Sequence, residues 1–434
     1  MYVLSASPTV AHCTFSGNGA TEGGGGLFLD ASSPGVAHCT FSGNGAQQGG
    51  GVFGCGSSNP TLTDCTLSNN TASQTGGGLL SGNGNPTLTR CTFSGNSAGY
   101  GGGVAKWNGG VTLADCVLSG NTASVHGGGL HNGNSGAAAL TDCTLSGNTA
   151  ASGGGFYNDG TSNATLTCCT LSGNTALIHG GGLYNANGGT ATLTNGTLSG
   201  NNAANGGGLY NAKSATLTHC TLSGNSASSG AVVECAGNGN FTAKNCIFWN
   251  ESTEEFSGAL WPTVTYCVVE GGSPGTGNRS ANPNLGPLAD NGGPTKTHAL
   301  PPGSSAVDGG TSVGAPAVDQ RGVARPKGAG YDMGAYELDP AAVTPTAGPS
   351  PPPGPTSTPG PSPTPFPYPL PSGLPEPSVT VAGGTPLVSP TPVPPSDLPI
   401  TGRSNPGNVD LSPEMLEALL GAGIDPLLYQ VVLT

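Results

Sequence analysis

The sequence predicts an all-β fold, a right-handed parallel β-helix of about eleven turns, and three observations carry that prediction. First, a cysteine returns about every 26 residues, at Cys13, Cys39, Cys65, Cys91, Cys116, Cys143, Cys169, Cys220 and Cys246, and loosely at Cys267. Gly196 fills the one gap. Second, two apolar columns keep phase with it: Val10, Val36, Leu62, Leu88 and their successors three residues before, and Phe15, Phe41, Leu67, Phe93 and theirs two residues after. Third, a triple glycine and an apolar residue close each unit, as in Gly180-Gly181-Gly182-Leu183. A fixed period of this length is the mark of a repeat architecture in which stacked turns share one core.

Each element of the turn follows from local chemistry. Cysteine and the residue two later share a strand face, because strand side chains alternate. The leucine lies three before the cysteine, so alternation breaks there and implies a corner with two outward residues, such as Thr141 and Asp142. A second corner follows Asn148, and the glycines lead into another strand near Phe156. Helices are a poor alternative for the repeat, given its abundance of Gly, Thr, Ser and Asn and its lack of a 3.6-residue apolar stripe. Strand chirality favours a right-handed coil. With turns about 4.8 Å apart, the rod should be on the order of 50 Å long. The asparagines at 18, 44, 70, 96, 121, 148, 174, 201, 225 and 250 should stack at one bend, where their amides satisfy turning backbone. The glycines permit a tight path or positive φ. Large aromatic rings should fit such a narrow core poorly.

The phrases Phe15-Ser16-Gly17-Asn18, Phe41-Ser42-Gly43-Asn44 and Phe93-Ser94-Gly95-Asn96 resemble the FxxN half of the repeats in polymorphic outer-membrane proteins of the autotransporter class. The Gly-Gly-Gly-Leu phrase resembles their GGA[ILV] half, with glycine in place of alanine. This resemblance covers about residues 8–270. It implies a surface-exposed bacterial β-helix of the pectin-lyase-like kind and specifies no activity, because the matching residues are scaffold.

Composition narrows the partners. The net charge is −13 with 8% charged residues, and no basic stripe suits a nucleic acid or an anionic membrane. A sparsely charged Thr/Ser/Asn/Gly surface fits an extracellular protein. One inward cysteine per turn behaves as a small hydrophobe and should stay a free, shielded thiol, whereas Cys55, Cys168 and Cys235 fall outside the column and are the expected exposed thiols. No Cys-x-x-Cys occurs, so a zinc site is not indicated. Met1-Tyr2-Val3-Leu4 does not read as a signal peptide, and Ser7-Pro8-Thr9-Val10-Ala11-His12-Cys13 reads as the second half of a repeat. The expectation is that the natural N-terminus, with signal and cap, lies upstream.

The repeats occupy residues 1–272. Residues 273–338 carry Asp290-Asn291-Gly292-Gly293-Pro294-Thr295, Asp319-Gln320-Arg321-Gly322 and Asp332-Met333-Gly334-Ala335-Tyr336-Glu337. These motifs resemble the choice-of-anchor Q module of bacterial surface proteins. It is expected to cap the open final turn, with Asp319, Arg321, Asp332 and Glu337 as a structural ion-pair cluster. Residues 339–397 form a Pro/Thr/Ser-rich spacer, expected to be extended and protease-sensitive. Residues 398–434 open on Leu398, Pro399, Ile400, Thr401 and Gly402, which match the LPxTG sortase motif and so raise attachment to a cell wall. The apolar span and basic tail of a sorting signal do not follow. A short helix with Ser412 as its N-cap does, and no transmembrane segment is expected.

One outward column bears on catalysis. The residue before each ladder cysteine includes Asp64, Arg90, Asp115 and Asp142 on four successive turns. Carboxylates one turn apart could share a Ca²⁺ ion, the one cofactor the column admits, or serve as the acid and base of a glycan-cleaving site. The favoured reading is a solvated column in which Arg90 bridges Asp64 and Asp115. His126 and His179, each just before a triple glycine, read as turn residues. Two classes of function remain. One is a non-catalytic, monomeric surface or adhesion rod that meets a surface glycan or protein ligand. The other is a polysaccharide lyase or glycoside hydrolase acting on acidic polysaccharide. The first accounts for the poverty of charged and aromatic residues.

Overall fold

The computed structural model describes residues 1–341 except 187, 238, 252–253 and 259–261. The described residues form a parallel β-coil and contain no α-helix among their elements. One lateral sheet has eleven strands, from Thr14–Ser16 to Val268–Val269, one per turn. A second has eight, from Gly45–Gln48 to Ser226–Ala227. Two further strands of most turns, such as Phe156–Asn158 and Asn163–Thr167, merged into one in Val104–Ala114 and in Leu130–Thr141, belong to a third, 20-stranded sheet. Each strand pairs parallel with its counterpart one turn away, as in Leu118↔Leu145↔Leu171. The core is one continuous column of leucine, valine, cysteine, phenylalanine and alanine.

The expected columns are present, and their chemistry is richer than the sequence reading. Nine of the ten column cysteines are buried, Cys13 in the first turn being exposed, and all thirteen cysteines are free thiols. They also bond. Cys91 N–H donates to Cys116 Sγ at 3.4 Å, and Cys143 Sγ–H donates to Thr141 O at 3.2 Å. A thiol therefore fills the volume of a small hydrophobe while serving the backbone at the corner. The asparagine ladder is complete. Asn121 Nδ2 donates to Asn148 Oδ1 at 3.0 Å and to Phe93 O at 3.0 Å, and its Oδ1 accepts from Asn96 N–H and Nδ2. The glycines are required by space as well as by angle. Gly127 has φ +69°, and a Cβ on Gly129 would lie 2.6 Å from Gly155 O in the next turn. That contact excludes the alanine of the GGA pattern.

Three expectations need correction. Phenyl rings do enter the core: Phe41, Phe93, Phe156, Phe241 and Phe248 are all fully buried. Cys235 is a core residue at 1% exposure rather than an exposed thiol, and Cys55 and Cys168 are half-buried. The third correction concerns the segment after the repeats, of which the first residues, 273–280, cover the open final turn while the rest docks elsewhere. That turn is extended by residues 270–280, where Cys267 N–H donates to Asn278 Oδ1 and Arg279 N–H to Cys267 O. Residues 285–338 lie along the side of the rod. Thr170 Oγ1 donates to Lys296 O, Thr197 Oγ1 to Gln320 Oε1, and Ala335 N–H to Thr221 Oγ1. Ile247 and Val268 continue this outer column and pack with Leu300, Ala306, Met333 and Leu338 in a second core.

The charged residues of this segment form a structural network, as expected, although Arg325 was not foreseen. Arg321 forks onto Asp319 at 2.7 and 2.9 Å and lies 3.4 Å above the Tyr336 ring. Arg325 pairs with Glu337 at 2.7 Å, both fully buried. Asp319 also accepts the N–H groups of Val323 and Glu337, and Asp332 those of Asp308 and Leu338. The spacer, the Leu398–Gly402 motif and the helix expected after Ser412 lie outside the described residues.

The ladder predicts a positional stability effect. Asn121→Ala leaves Phe93 O and the Asn96 amide groups unpaired in a dry interior, at a cost of roughly 3 kcal/mol or more. Asn18→Ala, on an exposed terminal turn, should cost well under half of that. Chemical denaturation of the two variants gives the comparison, and equal losses would refute the role assigned to the buried ladder.

Candidate functional site

The outward column before the cysteines is governed by its backbone. All eleven residues, His12, His38, Asp64, Arg90, Asp115, Asp142, Cys168, Asn195, His219, Asn245 and Tyr266, have φ between 50° and 54°. Non-glycine residues rarely adopt this left-handed region, and Asn, Asp and His tolerate it best. Eight of the eleven are of these three types. The corner conformation thus explains why acids and imidazoles recur here. The backbone supplies the ladder, as where Asp115 N–H donates to Thr141 O at 3.1 Å and Asp142 N–H to Thr167 O at 3.0 Å.

The structure brings the four sequence candidates onto one exposed edge and pairs two of them. Arg90 donates from Nε and Nη2 to both oxygens of Asp64, at 2.7 and 2.9 Å. It therefore forks onto one neighbour instead of bridging Asp64 and Asp115. The guanidinium bonds hold the Asp64 carboxyl below its usual range. Burial, and then the charge of Asp115, raise the pKa of Asp142. Among the described residues, no three or more His, Cys, Asp or Glu form a group that could hold a metal ion. A Ca²⁺ ion at Asp115 and Asp142 would draw most of its six to eight oxygens from water.

Sequence reasoning missed a second outer feature, a strip of rings beside the glycine corner. Two register columns build it, one just before the triple glycine and one just after the following apolar residue. His126 stacks on Tyr157 at 4.0 Å and 15°, and His179 on Tyr210 at 4.1 Å and 17°. Tyr157, Tyr184 and Tyr210 follow one another at 4.7 and 4.8 Å. Trp107 closes one end against His131 at 4.8 Å. His126 and His179 are therefore members of this strip rather than plain turn residues. The rings lie against one another along the rod, so their faces are largely used within the strip. The signal was present as Tyr100, His126 and His179 in one column and His131, Tyr157, Tyr184 and Tyr210 in the other.

Under the strip runs a second buried asparagine ladder, Asn132 to Asn158 to Asn185 to Asn211, with amide bonds of 2.8–2.9 Å. Lys106 occupies the same column one turn earlier. It is fully buried, and its Nζ donates to Ser81 O at 3.5 Å and to the carbonyls of Gly82, Trp107 and Asn108. Burial lowers its pKa to about 8. Burial also lowers His126 to about 4 and His131 and His219 to about 3. Both ring nitrogens of His131 lack hydrogen-bond partners.

The family described as "Right handed beta helix region" matches residues 1–118 and 102–274. No curated protein matches the sequence. Among solved structures, the crystal structure of pectate lyase Pel9A is similar with a TM-score of 0.45 and 14% identity, over 75% of this chain and 86% of that one.

The corner makes a prediction that separates backbone from chemistry. Asp115→Asn should leave stability unchanged or slightly higher, because asparagine tolerates the same φ and relieves repulsion. Asp115→Ala should cost about 1 kcal/mol for a left-handed alanine. Equal melting temperatures for the two variants would contradict a backbone origin for the column.

Titration gives a second test. The buried histidines have depressed pKa values, so their stabilisation is complete above about 6.5 and is lost as pH falls towards 4. Glu255, raised to about 7, and Asp332, raised to about 6, act oppositely, their contribution being lost as pH rises through those values. His179 and His298 are lowered too, so five histidines stand against four raised carboxylates, Asp142 and Asp159 being the other two. Unfolding near pH 5.5 should take up protons net, and the melting temperature should fall from pH 7 to pH 5.5. A rise on acidification would reverse the assignment.

Proposed function

This chain belongs to the right-handed β-helix family, and we propose that its rod is a non-catalytic adhesion or display element at a bacterial cell surface. The observation that carries this reading is the left-handed corner. The column holding Asp64, Arg90, Asp115 and Asp142 follows backbone conformation along all eleven turns, which leaves no need for a catalytic explanation of its acids. A sparsely charged surface and the choice-of-anchor Q resemblance of residues 273–338 support export and attachment. The Leu398–Gly402 motif would supply a cell-wall link. The surface ligand on this reading is a glycan or a protein.

The test is activity on an acidic polysaccharide. Purified protein incubated with pectate, with and without Ca²⁺, should release neither reducing nor unsaturated ends. Release by the parent that is abolished in Asp115→Asn with Asp142→Asn would replace this reading with a glycan-cleaving enzyme.

A further inference from the structure

The strands that end at the left-handed corner carry a second outer face, which none of the functions above uses. Its two outward columns start at Thr9 and Ala11 and end at Thr263 and Thr265. Over eleven turns, nine of the first column and seven of the second are threonine, sixteen of twenty-two positions. The remainder are one glycine, four alanines and one lysine, Lys244. Along the face the register is unbroken, as in Thr61↔Thr87↔Thr112 and Thr165↔Thr192↔Thr216. The hydroxyl-bearing side chains of Thr61, Thr87, Thr165, Thr192 and Thr216 are exposed. The segment 285–338 contacts the adjoining face and leaves this one open.

We propose that this threonine face binds the surface of ice. Rungs stand about 4.8 Å apart and the two columns about 6.6 Å apart, so hydroxyls repeat in two dimensions on one plane. Threonine is stiff at χ1, and in-register stacking limits it further, so the array is held in place before contact and little ordering entropy opposes binding. Each residue offers a hydroxyl that can stand in for a lattice water and a methyl around which water orders.

Charge and composition select the partner. In a chain of net charge −13, a face with one charged residue in twenty-two does not suit an ionic ligand. It lacks the Trp, Tyr and Arg anchors of protein interfaces. It also lacks the aromatic faces on which sugar rings pack. Crystalline water is a neutral, hydrogen-bonding lattice with a repeat of this size. The proposal is independent of whether the rod cleaves glycans, because the acidic column and this face use different side chains.

The experiment uses the full chain in an ice-recrystallisation and crystal-shaping assay. The parent should hold back crystal growth and facet the crystals. Thr165→Tyr with Thr192→Tyr, two bulges in the middle of the face, should lose the effect at equal concentration. Thr40→Tyr with Thr66→Tyr, on the neighbouring face, should keep it. If the first pair melts below the parent, Thr165→Ser with Thr192→Ser, which removes two methyls without a clash, replaces it and should weaken the effect. Ice growth unchanged by the folded parent overturns the proposal. So does an effect that survives both central pairs. Sedimentation with microcrystalline cellulose or chitin, lost in the central pair and unaccompanied by any effect on ice, also overturns it and assigns the face to polysaccharide.

Discussion

Everything in this rod depends on satisfying backbone groups where the chain turns a corner inside a stack of near-identical turns. A buried N–H or C=O without a partner costs about 1–3 kcal/mol, and a coil with several corners per turn would accumulate that cost in every rung. The solution is to pass each bond to the next turn. Asn148 illustrates it: its N–H and Nδ2 donate to Asn174, while its Oδ1 accepts from Asn121. Cysteine does the same at the other side of the strand, with Cys246 N–H donating to Cys267 Sγ at 3.2 Å. Such ladders work only if side chains stay in register, and register is what forces glycine where two turns approach most closely. The repeated phrase is therefore a set of mutually dependent answers to one problem.

That dependence made the scaffold legible in the sequence and the surface much less so. The asparagine, cysteine and leucine columns were readable because each position has one physical reason and recurs with it. The left-handed corner was read as a corner, but its φ was not, although Asp64, His38 and Asn195 are the residue types that tolerate it. The aromatic strip escaped because its rings are split between two columns and interrupted by Ala105 and Ser152. Only the curl of the chain at Gly127 and Gly153 sets His126 beside Tyr157. The side-on docking of residues 285–338 escaped for a different reason. Thr170, Thr197 and Thr221 look like their exposed and half-buried equivalents Thr66 and Thr92, and nothing local marks them as an interface.

Departures from the period are where a repeat protein would be expected to keep its chemistry, and here several of them are ladder ends. Lys106 stands at the head of the second asparagine ladder, in a column of amides, and is surrounded by carbonyls. Asn132 Oδ1, which would accept from an amide in that position, lacks a partner. At the far end of the first ladder Glu255 takes the place of the next asparagine, accepting from Asn250 N–H at 3.1 Å and Nδ2 at 2.7 Å. Burial and the nearby Glu270 then push its carboxyl up, with the asparagine bonds opposing them. Two residues that resemble catalytic groups by their shifted pKa values are thus terminators of hydrogen-bond chains, and a shifted pKa in this architecture indicates burial before it indicates function.

The same logic distributes the remaining surfaces. A column whose residue type is set by backbone conformation, such as the corner, carries little information about ligands. A column on a regular strand, where many residues fit, carries more. The outer positions of Thr61–Thr63, Thr87–Thr89 and Thr192–Thr194 have ordinary strand backbone and face solvent, so valine, lysine, glutamate or serine would serve the fold there. The persistence of one uncharged, hydroxyl-bearing type along that face is a choice the scaffold does not impose. A choice the scaffold does not impose is the place where a ligand leaves its trace.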